Sequence, residues 1–307
     1  MNLFGKDAMQ AALGYAVKQT SHVEQQVNAI VYPDIQYHEL IPVDTSANAF
    51  AKTVTYYSSD KFGKADWING NSDDIPLAGT ETAKHETNVF MAGLGYGWGY
   101  EELNQNRMLG HNMQAEDAMA ARRGYEEMVD DVAMHGDAQK GFQGLSNHTS
   151  VTVSPMRNWD TASVTEILED FNGLLADAAA DTKWTAIADT VLLPNKKLNK
   201  LATTPLNNTS DVTVLTFLKT NNTYTARTGL PLTIREMHGL ETAGAGDVNR
   251  MIAYRRDPQT LKLHIPMPHR FLPVYQSSPL NFLVPGVFRF GGLDIRRPKE
   301  VRYGDGI

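Results

Sequence analysis

Residues 115–145 constrain the fold of this chain more than any other stretch, because they predict one unusually long amphipathic helix followed by a glycine-rich loop. Apolar residues recur at steps of three and four and would share one face: Ala118, Ala121, Tyr125, Met128 and Val132. Charged residues occupy the opposite face: Glu116, Arg123, Glu126, Glu127, Asp130 and Asp131. His135 and Gly136 fit the last turn and its C′ glycine. A start near Met113 gives about 22 residues and about 33 Å, against a mean helix of about 11–12 residues.

Residues 48–88 predict a two-stranded ribbon. Two arms rich in Thr, Tyr, Val and Phe flank a polar tip of Gly, Asn, Asp and Ser. Both arms carry too many polar residues to bury two faces, and a two-stranded ribbon alone in water is marginally stable at best. We therefore expect the ribbon to lie on another surface. An ordinary hairpin packed on its own domain is the alternative.

The second half of the chain predicts a mixed α/β unit. A capping box, Ser163-x-x-Glu166, precedes an amphipathic helix, and a buried strand at 190–193 is stopped by Pro194. Two helices with apolar residues at Leu198 and Val214 follow, and then strands at 232–237, 250–255 and 261–265. This alternation indicates a central sheet with flanking helices. The strand-rich segment 281–307 is expected to return beside the long helix, through Phe288, Phe290, Leu293 and Ile295.

Two further segments have weaker signals. Residues Ala8 to Ala29 are polar and lack a convincing apolar stripe, which fits a flexible or surface-lying arm, and Pro33 and Pro42 indicate an extended lead-in. Glycine and aromatic residues alternate from Gly93 to Leu103. This segment lacks the spacing and the Lys-Ser or Lys-Thr of a phosphate-binding loop, so we interpret it as a strand with close backbone approach that turns into a helix.

Composition excludes several classes of protein. The chain has 307 residues, of which 42% are hydrophobic and 21% charged, as in folded globular proteins. It has no apolar run long enough to span a membrane, no secretory signal and no cysteine. A net charge of −7 argues against a dedicated nucleic-acid binder.

The charge is nevertheless unevenly distributed. Nine acidic residues lie between Glu101 and Asp137, and ten basic residues lie between Arg250 and Arg302. This asymmetry fits pairing within the subunit, pairing between subunits through residues such as Arg296 and Arg297, or a basic face that meets an acidic ligand.

No residue pattern predicts catalysis, cofactor binding or a metal site. His264 and His269 flank two prolines at a spacing that matches no ligand motif, and His85-Glu86 lacks the second histidine of a zinc-protease helix. Paired acids such as Asp130-Asp131 are typical of a solvated or salt-bridged helix face. We therefore predict no catalytic, cofactor-binding or metal-binding residues.

The paired Arg122-Arg123, the acidic run after them and the glycine-rich turn ending in Gly-Phe-Gln-Gly-Leu resemble the long helix of tailed-phage major capsid proteins of the Hong Kong 97 type. Encapsulin shells share that fold. The resemblance extends over residues 45–307 and includes VLLPNKKLNKL and the closing Gly-Gly-Leu-x-Ile-Arg-Arg-Pro.

The resemblance implies an α+β fold of the Hong Kong 97-like capsid type. Its parts would be an N-terminal arm and lead-in (1–47), an extended loop (48–88), a peripheral domain with the long helix at about 113–135 (89–160), an axial domain (161–280) and C-terminal strands returning to the peripheral domain (281–307). No long charged N-terminal extension of the fused-scaffold kind is visible, so a scaffold is expected to be removed or separate.

The function implied by the resemblance is structural, not enzymatic, and needs no cofactor. Hexamers and pentamers of the chain would form an icosahedral shell that encloses double-stranded DNA, contacted non-specifically at the inner face. Cement, scaffold and portal proteins are the expected partners, with no membrane; the protein would reside in the virion after assembly in the host cytoplasm. An encapsulin-like cellular compartment and a soluble α/β enzyme with an unrecognised site are the alternatives.

Some members of the family join a lysine of the extended loop to an asparagine of a neighbour, assisted by a glutamate. Lys52, Lys61 and Lys64 lie in the corresponding loop here. No asparagine or glutamate of this sequence matches the partner residues one by one, so covalent cross-linking is implied only by position in the loop.

Overall fold

A computed structural model describes residues 34–67, 76–102, 113–207 and 211–307, and the arm predicted over Ala8 to Ala29 lies outside these ranges, as does Pro33. The α-helices are α1 (Tyr37–Leu40), α2 (Met113–His135), α3 (Val164–Asp181), α4 (Asn195–Thr203), α5 (Val214–Thr220) and α6 (Thr223–Thr228). A 3₁₀ turn spans Pro298–Glu300, and residues 100–102 are helical.

The strands are short, apart from the two of the ribbon. Those of the first half are β1 (Val43–Asp44), β2 (Thr53–Phe62), β3 (Gly79–Asn88), β4 (Phe90–Gly93), β5 (Tyr96–Gly99), β6 (Gly136–Asp137), β7 (Phe142–Gln143), β8 (Thr152–Pro155) and β9 (Thr190–Leu193). Those of the second half are β10 (Thr233–Glu236), β11 (Arg250–Tyr254), β12 (Leu261–His264), β13 (Met267–Phe271), β14 (Tyr275–Ser278), β15 (Asn281–Val284), β16 (Gly286–Phe290), β17 (Gly292–Ile295) and β18 (Val301–Asp305).

The long helix is present, and α2 has 23 residues. It ends where predicted, because Gly136 takes the left-handed conformation, with φ 80°, that a C′ glycine supplies. The buried residues of α2 pack against the C-terminal strands, with the Tyr125 ring edge-on to Phe288 at 4.7 Å between centroids. Phe290, Leu293 and Ile295 belong to the same core, as the sequence predicted.

Two residues of α2 lie differently from the prediction. Met128 is exposed, and Val129 takes the core position instead. Asp130, predicted on the solvated face, is partly covered by the lead-in segment: its Oδ1 accepts the backbone N–H groups of Gln36 and Tyr37 at 2.9 and 2.7 Å. Periodicity within the helix could not show that a segment almost a hundred residues earlier covers that face.

A five-stranded mixed sheet, in the order β10-β9-β11-β18-β8, separates two cores. Because successive side chains of a strand point to opposite faces, Leu192 of β9 joins the core of α2, whereas Val191 and Leu193 join the core of α3. Helix α3 begins with the predicted capping box between Ser163 and Glu166. Pro194 then ends β9 and precedes α4, as the sequence predicted.

The membership of the sheets differs from the prediction in two strands. Strand β12, expected in the central sheet, pairs with β1 and β17 instead. Strand β18, expected beside the long helix with the rest of 281–307, lies in the central sheet between β11 and β8. Its Val301 and Tyr303 still face the core of α2, which is why its apolar residues fit the expected position.

Three small sheets complete the unit of residues 35–307: β1-β12-β17, β13-β16-β4 and β14-β15-β5. Hairpins β2–β3 and β6–β7 each form a separate two-stranded sheet. Among the helices that the structure describes, none is long and apolar enough to cross a membrane.

Candidate assembly surfaces

The ribbon formed by β2 and β3 is the most exposed element of the subunit. Ten residues of each strand pair in antiparallel register, from Thr53 opposite Asn88 to Phe62 opposite Gly79. Most of these residues are exposed and none is buried. The ribbon is therefore held by its own hydrogen bonds and by contacts at its root, with almost no core.

Cross-strand side-chain pairs stabilise the ribbon near its root. Tyr56 stacks on His85 with 4.7 Å between ring centroids, and His85 Nε2 lies 2.9 Å from Ser58 Oγ. Lys84 and Glu86 form an ion pair along the other face. The cross-strand pairs contribute about 0.2–1 kcal/mol each and favour the observed register, whereas the exposed Lys84–Glu86 pair lies within β3 and does not.

Large apolar side chains on and beside the ribbon are left in solvent. Phe50 is 72% exposed, Leu77 85% and Trp67 100%. Tyr57 and Phe62 are more than half exposed as well. Large apolar side chains exposed in this number, on an element without a core, are typical of an interaction surface.

A second apolar surface lies on the sheet β14-β15-β5 and the turns beside it. Its exposed side chains are Leu94, Val274, Tyr275 and Leu280. The glycines of β5 explain how this sheet forms, because an added Cβ at Gly97 would lie 2.7 Å from the Phe282 carbonyl oxygen. The glycine–aromatic alternation thus allows the close backbone approach that the sequence predicted.

Replacing Gly95 by alanine should destabilise the subunit by about 1–3 kcal/mol, since its Cβ would lie 2.3 Å from the Val284 carbonyl oxygen and neighbouring backbone cannot move cheaply. Gly99→Ala is the matched control, with no atom closer than 3.9 Å, and should change the free energy of unfolding by about 0.5 kcal/mol or less. Thermal or urea unfolding of the two variants measures the difference. If both variants lose the same free energy of unfolding, the close contact expected at Gly95 does not destabilise the subunit.

The basic residues of the C-terminal part are mostly paired within the subunit. Six of the ten between Arg250 and Arg302 contact carboxylates of the same chain: Arg250, Arg255, Lys262, Arg296, Arg297 and Arg302. Of the alternatives left open for Arg296 and Arg297, these contacts support pairing within the subunit. Arg296 reaches Asp294 at 3.0 Å and Arg297 reaches Glu300 at 3.2 Å, because short turns bring these acids beside them.

The ion pair between Arg250 and Asp305 is the most buried of these contacts. Arg250 Nε and Nη2 donate to the two Asp305 carboxylate oxygens at 2.6 and 2.7 Å, and both side chains are nearly buried. The guanidinium also lies 4.4 Å from the ring centroid of Tyr303. Burial raises the pKa of the Tyr303 hydroxyl to about 12. This hydroxyl therefore stays protonated and donates to the Leu145 carbonyl oxygen at 2.6 Å.

The lead-in at residues 36–41 joins the long helix to the central sheet, which sequence reasoning missed. Tyr37 donates its hydroxyl to Glu126 at 2.5 Å, and Tyr254 of β11 donates to the Leu40 carbonyl oxygen at 2.8 Å. Burial raises the pKa of both tyrosines. The spacing of Tyr37, Leu40 and Ile41, at i, i+3 and i+4, is the local signal that one face of this segment is buried.

The histidines and lysines singled out earlier are dispersed. His269 is buried against Tyr125 and lies 2.9 Å from the Leu94 carbonyl oxygen, whereas His264 lies between strands β1 and β17. Lys52, Lys61 and Lys64 are all exposed on or near the ribbon. In the described ranges no group of three or more His, Asp or Glu could hold a metal ion.

The enzyme alternative predicts a deep apolar pocket. An open cleft of about 390 Å³ lies among Trp184, Asp189, Tyr224, Arg227 and Arg255, and its lining is mostly polar. The cleft is open and polar, whereas the enzyme alternative predicts a deep and apolar pocket.

A coreless ribbon, a 23-residue helix laid across β-strands and a separate α/β layer define a shell-forming protein of the Hong Kong 97-like fold. The family described as Major capsid protein matches residues 63–307, and the chain belongs to that family. It is a structural protein that self-assembles into the virion capsid. No curated protein sequence matches it.

Solved capsid structures share the fold. The capsid of Myoviridae phage XM1 has a TM-score of 0.82 at 20% identity, covering 94% of this chain and 98% of that one. The capsid of a native GTA particle has a TM-score of 0.66 at 11% identity, covering 99% of both chains. Mycobacterium phage Ogopogo gives 0.61 at 11% identity, covering 95% and 98%. The family match favours a phage shell over the encapsulin alternative.

Proposed function

We propose that this chain forms hexamers and pentamers that close into an icosahedral shell around double-stranded viral DNA. The observation that carries the proposal is the ribbon, whose apolar side chains have no surface of their own subunit to cover them. An adjacent subunit supplies that surface. Each contact stays weak, and closure follows from many repeated contacts per subunit.

The parts of the subunit then take distinct positions in the shell. Residues 1–47 form the arm and lead-in, and 48–88 form the loop that extends over a neighbour. The peripheral domain is built from 89–160 around the long helix, with most of 281–307. The axial domain of 161–280 lies near the capsomer axis, and it takes β8 and β18 into its sheet.

Further partners follow from the same function. Assembly takes place in the host cytoplasm with a portal and a scaffold, and a cement protein binds the finished shell. Packaged DNA touches the inner face non-specifically. Because most basic residues of the C-terminal part are already paired, we expect the salt dependence of DNA contact to be shallow.

Replacing Phe50 and Trp67 together by serine should abolish closed shells while leaving the subunit folded. Both side chains are mostly exposed, so the free energy of unfolding should change by about 0.5 kcal/mol or less. Sedimentation and negative-stain electron microscopy measure assembly, and thermal unfolding measures the fold. Thr82→Ala, an exposed polar position on the same ribbon, is the control and should assemble normally.

Two results would refute the proposal. If the double variant forms shells at the wild-type yield, the apolar side chains of the ribbon are not part of the contact between subunits. A wild-type chain that never exceeds a small oligomer, even with scaffold and portal present, would exclude the shell itself.

A further inference from the structure

The two ends of the central sheet carry unpaired charges of opposite sign. Strands β11 and β18 pair from Arg250 opposite Asp305 to Tyr254 opposite Val301, so the residues that follow β11 lie at the end of the sheet away from those that precede it. Each of these strands has five residues, which separates the two ends by about 13–17 Å. One subunit therefore cannot bring its own two ends together.

The first end, which we call the cationic end, is formed by Lys183, Arg227 and Lys299. They lie on the turns before β9 and β18 and in α6, beside Arg255, which follows β11. All three side chains are exposed, and none forms an ion pair with another described residue. Two open clefts share Thr185 in their linings: one of about 390 Å³ beside Arg227, and one of about 410 Å³ beside Lys183 and Lys299. The cationic end therefore offers clefts lined by positive charges that lack a partner in this part of the subunit.

Trp184 gives the cationic end an aromatic contact residue. Its side chain is 44% exposed, the Arg227 guanidinium lies 5.7 Å from its ring centroid, and Arg227 Nη2 donates to its carbonyl oxygen at 2.8 Å. Lys183 and Trp184 have φ angles of 52° and 62°, a left-handed conformation that is rare for large side chains and is concentrated at functional sites. Because tryptophan and arginine are enriched among the residues that dominate contacts between proteins, this pair indicates an interaction surface.

The opposite end, which we call the acidic end, is formed by Glu236, Glu241 and Asp247. Glu236 is the last residue of β10, and the other two belong to the connection from β10 to β11. This connection folds into a compact loop, because Gly244 donates its N–H to the Val248 carbonyl oxygen at 2.9 Å. The tip of the loop is exposed, and none of the three carboxylates forms an ion pair within the described ranges. The acidic end therefore offers an exposed loop with negative charges that are not neutralised there.

The two ends match each other in charge and in apolar character. Val248 is 36% exposed beside Asp247, and it offers an apolar contact for Trp184. A nucleic acid fits the cationic end less well, because the carboxylates of Asp257 and Glu300 line the same clefts and repel phosphate groups. A second copy of the chain supplies both the negative charges and the apolar side chain.

We propose that the acidic end of one copy docks on the cationic end of the next, with the 241–249 loop in the clefts beside Trp184. Because the two surfaces differ, the contact is head-to-tail, and repeating it by a rotation closes a ring. The inference rests on the proposed function, since it names a contact within the rings of the hexamers and pentamers. All of the charged residues of the two ends except Lys299 belong to the proposed axial domain.

Charge reversal in the purified full-length chain tests this contact. Lys183→Glu with Arg227→Glu reverses the cationic end, and Glu241→Lys with Asp247→Lys reverses the acidic end. Either pair places like charges opposite each other, so the association of subunits into capsomers should weaken about tenfold or more. Sedimentation velocity and native mass spectrometry measure the capsomers, and thermal unfolding checks that each subunit is folded.

An equimolar mixture of the two reversed variants gives the sharpest result. The reversed cationic end of one variant is negative and the reversed acidic end of the other is positive, so the contact is restored only between unlike copies. Strict alternation permits rings with an even number of subunits, and the mixture should therefore form hexamers but no pentamers. The chain that carries all four substitutions should form both, because each of its copies matches the next.

Two further variants complete the design. Lys140→Glu with Lys219→Glu is the matched control for the cationic end: both lysines are exposed on other parts of the chain, the net charge changes equally, and assembly should equal that of the wild type. Glu241→Gln with Asp247→Asn neutralises the acidic end, and asparagine tolerates the φ of 57° at position 247. This neutral pair should weaken association less than the lysine pair does, and it takes the place of the lysine pair if that variant does not fold.

Reversed variants that assemble like the wild type would overturn the inference, as would a mixture that does not recover the association lost by its two components. If only the variant reversed at the cationic end loses assembly, a phosphate-bearing partner binds there and the inference is wrong. If the rings respond as expected but no shell forms, the shell proposal fails and the ring contact stands. A wild-type chain that stays monomeric would refute both.

Discussion

Replacing Tyr125 by aspartate should leave little folded subunit. The Tyr125 side chain is 2% exposed and packs between Phe288 and His269. The new carboxylate would lose its hydration without gaining a partner, and the aromatic contacts would be lost as well. We expect a loss of about 3–5 kcal/mol in the free energy of unfolding, a large part of the stability of a typical domain. Soluble yield and urea unfolding measure it.

Met119→Asp separates this effect from a general intolerance of α2. Met119 lies on the same helix and is 63% exposed, so its new carboxylate stays hydrated and should cost about 0.5 kcal/mol or less. If both variants lose the same amount of soluble protein, the buried face of the helix has been assigned wrongly.

The second large effect is expected at the buried ion pair. Asp305→Asn removes the charge that faces Arg250 and leaves the guanidinium nearly buried beside a neutral amide. Losing one partner of a buried pair costs about 3–5 kcal/mol. The amide oxygen keeps one hydrogen bond, which places the expected loss near the lower end of that range. Chemical unfolding at low and high salt should give similar losses, because buried pairs are screened little.

Asp131→Asn is the matched control for Asp305→Asn. Asp131 pairs with His135 at the surface, where its side chain is 74% exposed, and such a pair contributes about 0–1 kcal/mol. The double variant Arg250→Met with Asp305→Leu should recover part of the stability, since two apolar side chains leave no unpaired charge. A double variant less stable than Asp305→Asn would show that the arginine has a further role, for example through its contact with the Ser146 carbonyl oxygen.

Local patterns in the sequence predicted the elements well. The three- and four-residue spacing gave α2 and its C′ glycine, the Ser163 capping box gave the start of α3, and Pro194 marked the end of β9. Each of these signals acts within a few residues, because helices and turns are stabilised by neighbours in the chain. The exposed polar arms of the ribbon were likewise visible in composition.

Long-range pairing was not predictable in the same way. The partners of the Arg250 ion pair are 55 residues apart, and Tyr254 donates to Leu40 across 214 residues. The position of β18 in the central sheet depends on such contacts. The spacing of apolar residues shows which face of a helix or strand is apolar. It does not show which segment of the chain covers that face.

The position of β18 also bears on how the protein is made. Strand β8 is synthesised about 150 residues before β18, yet β18 is its partner in the sheet. A growing chain therefore cannot complete the central sheet until residues 301–305 have left the ribosome. A chain that ends before residue 301 therefore lacks both the strand that joins β11 to β8 and the partner of a buried arginine.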